Sequence, residues 1–166
     1  MAASTQHPSF VAEVAQTVQA SGIEPHRVIL EITESVMMHD VPLMMERLRE
    51  LKRVGVQLAI DDFGTGYSSL SYLREFPFDL LKIDKAFIDD VGAGSDQKEL
   101  TTAIIELGKT LDLELVAEGI ERSDQVSRLT TLDCGLGQGF FLAEPLDLGQ
   151  VESLLRELRD KRDAAA

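Results

Sequence analysis

The chain has 166 residues, 44% of them hydrophobic, with 16 basic against 29 acidic side chains and a net charge of -13. That composition suits one folded domain with a sizeable core, and the acidic balance argues against tracking along DNA or RNA, where clustered positive charge supplies the affinity. No apolar run approaches the ~20 residues of a membrane-spanning helix, no charged-then-apolar leader suggests secretion, and the single cysteine, Cys134, excludes an internal disulfide.

Taken in chain order, the first β-rich run is 28–34 (VILEITE), which carries Glu31. A helical pattern follows at 42–54. The strand 56–60 (VQLAI) breaks into Asp61-Asp62-Phe63-Gly64-Thr65-Gly66, whose glycines allow positive φ, and a serine-started helical pattern follows at 68–75. LLKID at 80–84 repeats the arrangement, with Lys82 inside the run and Asp84 at its exit. Next come a helix over 98–111, in which Leu100, Ile104, Leu107 and Leu111 recur at helical spacing, and a strand over 113–119 carrying Glu118. A helix over 123–132, a weaker strand at 136–141 and an amphipathic helix over 148–159, with Leu154, Leu155 and Leu158 expected inward, complete the pattern.

Strand side chains alternate, so Glu31 is opposed to Val28, Leu30 and Ile32, Asp61 to Leu58 and Ile60, and Lys82 to Leu81 and Ile83. One face is apolar and the other ends in a functional group. Regular strand–helix alternation implies a parallel sheet covered by helices, whose sites lie at the C-terminal strand ends. Carboxylates there are hard oxygen ligands suited to Mg²⁺ or Mn²⁺. Each acid taken alone also reads as a capped turn or a plain ion pair; their repetition on successive strands favours a metal site.

The remaining features read as structural. Cys134 is expected to be a buried strand residue. His7, His26 and His39 lack paired ligand spacing, which argues against zinc. The Met37-Met38 and Met44-Met45 pairs are expected to fill core gaps, and the 92–96 loop lacks the Gly-Lys-Ser pattern of a phosphate cradle.

The motifs EITES (31–35), DDFGTGYSSLSYL (61–73), LKID (81–84), AEGIE (117–121) and QGFFLAEPL (138–146) together resemble the EAL-type cyclic di-GMP phosphodiesterase domain of bacterial signalling proteins, in that family's order and spacing. The resemblance implies hydrolysis of cyclic di-GMP to the linear dinucleotide. It also implies a first-metal ligand in Glu31, a metal-bridging carboxylate in Asp61, and second-metal groups in Asp62 and Glu118. Lys82 resembles the lysine that contacts the nucleophilic water or phosphate, and Gln138 the glutamine that positions the water network. Glu34 and Glu121 resemble the glutamates that shape the loop after Asp62. Two divalent ions, Mg²⁺ or Mn²⁺, would lower the pKa of water and stabilise the attacking and leaving oxygens.

The family's Glu-Ala-Leu motif is absent from this sequence, as is the asparagine ligand of its next strand. A complete barrel typically needs about 250 residues. The expectation is therefore α/β: an incomplete (β/α)8 TIM-like barrel of roughly five βα units. The resemblance implies that residues 1–166 form a partial EAL domain, with a polar leader at 1–7, a helix at 10–20 and a frayed tail at 160–166. A chain of this kind is expected to be weakly active or inactive alone, or to serve as a non-catalytic cyclic di-GMP-binding or regulatory module. Self-association through open sheet edges, no membrane contact by this segment and a cytoplasmic location are also expected, with any membrane anchor lying in other domains of the parent. An enolase-like or aldolase-like site using Lys82 as base or Schiff-base amine ranks last, because neighbouring acids would raise the lysine's pKa.

Overall fold

The computed structural model describes residues 7, 9–37, 39–64, 73–89 and 97–164. Helix α1 (Phe10–Ser21) and a 3₁₀ turn (Pro25–Arg27) lead into strand β1 (Ile29–Thr33), the short helix α2 (Glu34–Met37) and helix α3 (Val41–Val54). Strands β2 (Gln57–Phe63) and β3 (Leu80–Ile83) precede the short helix α4 (Lys85–Ile88), helix α5 (Gln97–Thr110) and strand β4 (Glu114–Ala117). Helix α6 (Ser123–Thr131), the two-residue strand β5 (Leu136–Gly137) and helix α7 (Leu148–Ala164) end the described chain. The expected helix at 68–75 falls largely outside the described residues, as does the 92–96 loop.

All five strands are parallel and pair in sequence order, β1-β2-β3-β4-β5. A doubly wound sheet would reverse its order at a switch point; this sheet is singly wound, the arrangement of a barrel wall. Among its apolar residues, Leu58, Ile60, Leu81 and Ile83 of the two inner strands β2 and β3 have no exposed surface. Helix α3 starts at Asp40, whose side chain accepts the Leu43 N–H at 3.2 Å, and buries Met44, Met45, Leu48 and Leu51. With Met37 also buried, three of the four methionines singled out in the sequence do pack in the core, while Met38 lies outside the described residues.

At the N-terminal rim Asp79 joins three strands. Its carboxylate lies 2.7 Å from Lys52 Nζ and accepts the Leu58 N–H at 2.8 Å, while its backbone N–H donates to Leu58 and its carbonyl accepts the Glu114 N–H.

Four expectations are corrected. The strand at 136–141 stops at Gly137, because β5 has a partner on one side only; Phe140 and Phe141 lie exposed beyond it. Cys134 is buried, but in the turn before β5 rather than in a strand. Leu100 is exposed and Thr101 and Ile105 take the inner face of α5. In α7, Leu155 and Leu158 are exposed, because that stripe has no sheet to cover. The same helix runs to Ala164, through most of the stretch expected to fray, with Glu152–Arg156 and Arg159–Asp163 paired one turn apart.

Candidate metal centre

Parallel pairing in sequence order sets the C-terminal ends of β1 to β4 side by side, and each brings a charged group to that rim. Lys82 is the hub. Its Nζ lies 2.9 Å from Glu31 Oε1, 3.0 Å from Asp61 Oδ1 and 2.8 Å from Glu118 Oε1, although the residue is only 7% exposed. Burial pulls the pKa of its ammonium down; hydrogen bonds to Glu118, Glu31 and Asp61 overcome that and hold it well above the usual lysine value. Lys82 is therefore held as a cation among three acids, which gives no support to a Schiff-base or general-base role.

Consecutive strand residues point to opposite faces, so a regular β2 could not aim both Asp61 and Asp62 at one place. The β2–β3 ladder shifts between Ile60 and Phe63, and Asp62 adopts a left-handed φ of 54°, a conformation that Asp enters more readily than most residues. This irregularity re-aims the strand exit. As a result one carboxylate oxygen from each of Asp61, Asp62 and Glu118 lies within 4.8 Å of the other two. Glu31, its side chain half exposed, shares Lys82 with Asp61 and Glu118 but is not one of these three.

The donors are all carboxylate oxygens, with no thiol or imidazole among them. They fit a hard divalent cation such as Mg²⁺ or Mn²⁺ and offer little to structural Zn²⁺. His7, His26 and His39 are exposed, and none is among the residues whose ligand atoms converge.

The other residues singled out in the sequence divide. Glu34, 3% exposed at the start of α2, accepts the Gly64 N–H at 3.2 Å and so reaches the turn just after Asp62, while its Oε1 has no hydrogen-bond partner among the described residues. Glu121 turns toward α4 and pairs with Lys85 at 2.9 Å; most of the loop it was expected to shape lies outside the described residues. Gln138 follows β5 with its side chain exposed, and its backbone bonds to Ala117 and Ile120 keep it beside the Glu118 loop. Lys85, which also pairs with Asp89 at 2.7 Å, is a member of the site's surroundings that the sequence does not flag, since a lysine after LKID reads as any surface ion pair.

The EAL domain family's sequence profile matches residues 1–145. The chain belongs to the EAL domain family. It is 41% identical over 151 residues to the cyclic di-GMP phosphodiesterase NbdA of Pseudomonas aeruginosa, covering 91% of this chain and 19% of that protein. The bifunctional diguanylate cyclase/cyclic di-GMP phosphodiesterase MucR of the same organism is 43% identical, with 87% and 21% covered. This EAL chain thus spans about a fifth of those relatives' length. Among solved structures, the MucR phosphodiesterase in complex with c-di-GMP superposes with a TM-score of 0.87 at 42% identity, covering 91% of this chain and 61% of that one. A Klebsiella pneumoniae protein, BlrP1, solved with manganese and cyclic di-GMP, gives 0.75 at 31% identity, with 81% and 34% covered. The five-stranded sheet is accordingly part of the TIM-like EAL barrel, and in this chain it is not closed.

Proposed function

We propose that this EAL domain acts in metal-assisted hydrolysis of cyclic di-GMP to the linear dinucleotide. The observation that carries the reading is the convergence of Asp61, Asp62 and Glu118 within 4.8 Å, beside a lysine held as a cation. Asp61, Asp62, Glu118 and Glu31 would hold Mg²⁺ or Mn²⁺. Bound divalent ions supply a water of lowered pKa and charge compensation for the attacking and leaving oxygens. Lys82 would donate hydrogen bonds toward a phosphate oxygen or its water. Gln138, exposed at the neighbouring rim, offers an amide to order solvent there. Glu34 supports the turn that aims Asp62. In the net reaction a water oxygen joins phosphorus, one ester P–O bond breaks, and the proton passes to the leaving hydroxyl. The cytoplasm is the proposed location, supported by the one free thiol of Cys134.

A second reading is favoured by one observation: no Glu-Ala-Leu sequence occurs in these 166 residues. A chain that binds cyclic di-GMP without cleaving it would serve as a regulatory module. Incubation with cyclic di-GMP and Mn²⁺, followed by chromatography, separates the two. Linear dinucleotide that disappears in Asp61→Asn supports hydrolysis; saturable binding without product supports the module; neither binding nor product overturns both.

A further inference from the structure

The loop that carries Glu118 out of β4 is fastened by a residue outside the acid cluster. Gln125, in the first turn of α6, has no exposed surface. Its Oε1 accepts the N–H groups of Glu121 at 2.8 Å and Arg122 at 2.9 Å, and its Nε2 donates to the Ile88 carbonyl at 3.1 Å. Ordinary helix capping accounts for only one of these bonds, the return to the Arg122 N–H from three residues on. The other two leave α6: one holds the preceding loop, and one crosses to the end of α4. Arg122 adds a parallel tie, its Nη2 donating to the Asp89 carbonyl at 3.0 Å.

Helix α4 is wedged between the two acid-bearing loops. On one side a Cβ added to Gly119, at φ 68°, would fall 2.5 Å from Lys85 Cγ. On the other a Cβ added to Gly64, at φ 96°, would fall 2.9 Å from the Phe87 ring. Both loops touch α4 as closely as a bare backbone allows, so the position of each loop on α4 sets the spacing between Glu118 and the Asp61–Asp62 pair.

We propose that Gln125 is a positioning residue for the metal site: its buried carboxamide locks the 119–122 backbone onto α4 and so fixes where Glu118 stands relative to Asp61 and Asp62. The inference rests on the metal-site reading above. Partners one step removed from a metal typically govern affinity by orienting its ligands.

The test compares Gln125→Met with Thr101→Val in the 166-residue chain. Thr101 is equally buried and donates to the Phe87 carbonyl at 2.7 Å, so its loss also removes a buried hydrogen bond to α4 but leaves the Glu118 loop alone. Mn²⁺ affinity is expected to fall about 10- to 100-fold in Gln125→Met and by less than about twofold in Thr101→Val. The ¹³C shift of the Glu118 carboxylate, recorded without divalent ions, is expected to move in Gln125→Met alone. If Gln125→Met does not fold, Gln125→Glu, which keeps the acceptor and loses the donor to Ile88, carries the same readouts. A folded Gln125 variant with an unmoved Glu118 shift, or equal effects in the two comparison variants, overturns the proposal. Should the parent chain take up no Mn²⁺ while the shift still moves, the functional reading fails and the positioning role stands.

Discussion

Lys82 concentrates three carboxylate contacts on one ammonium, so its loss is felt more as repulsion among Glu31, Asp61 and Glu118 than as a missing bond. Removing one partner of a fully buried ion pair costs about 3–5 kcal/mol; the partial exposure of these acids brings the expectation for Lys82→Met to about 1–3 kcal/mol. Urea unfolding measures it, and added Mn²⁺ is expected to recover part of the loss. The folded-state pKa of Lys82 lies above its unfolded value, so its contribution is complete below about pH 10.5 and is lost only as pH rises beyond that. The gap between parent and Lys82→Met should therefore show no loss on the lysine's account through neutral pH; a gap that closes between neutrality and mild alkali would contradict the assignment. Burial pushes the Cys134 thiol up, so native chain is expected to react with iodoacetamide far more slowly than urea-unfolded chain. Glu31, Asp61, Lys82 and Glu118 were legible in the sequence because each is a charged group that interrupts or ends an apolar run. The convergence of Asp62 with Asp61 was not, since alternation along a strand predicts the opposite; only the ladder shift and left-handed backbone bring the two together. Gln125 was hidden for another reason: the residue at its N-cap is Arg122, and an arginine does not announce a cap.

Among the elements, α4 matters out of proportion to its four residues. Gly64→Ala would force a methyl against Phe87 and add strain at a positive φ, with an expected cost of about 1–3 kcal/mol. Phe87→Leu in the same chain is expected to return part of it, and a urea series on the three variants checks both statements; additive losses would show that ring and loop are uncoupled. The helices and inner strands were readable because their apolar periodicities are met by real partners: α3 lies where its pattern puts it, within a residue of the expected start. Readability failed where a stripe has nothing to cover. Leu155 and Leu158 carry a credible inward pattern on α7, yet periodicity tells which residues share a face and not whether a neighbour faces them.

At the scale of the molecule, the sheet has two edges. Ile29 of β1 and Leu136 of β5 are both exposed, and the β5 side continues into exposed Phe140, Phe141 and Leu142. Unpaired strand edges flanked by apolar surface invite pairing with another copy. Sedimentation velocity is expected to show concentration-dependent association of the 166-residue chain, and a monomer across the accessible range would refute it. Activity follows the same logic. A chain extended upstream through a Glu-Ala-Leu segment is expected to hydrolyse cyclic di-GMP much faster than the present one at saturating Mn²⁺, and equal single-turnover rates would show those ligands to be dispensable.

Asp79 gives the last consequence. It pins the roots of β2, β3 and β4 through one carboxylate and two backbone groups, at the end of the sheet away from the acids. The extra length that β2 takes up before Phe63 is thereby confined to its far end, where it cannot slide the register below. Tolerance and precision are thus assigned to opposite ends of the same strands. Substitutions among the acids can change the chemistry of that rim without endangering the alignment of the wall that presents them.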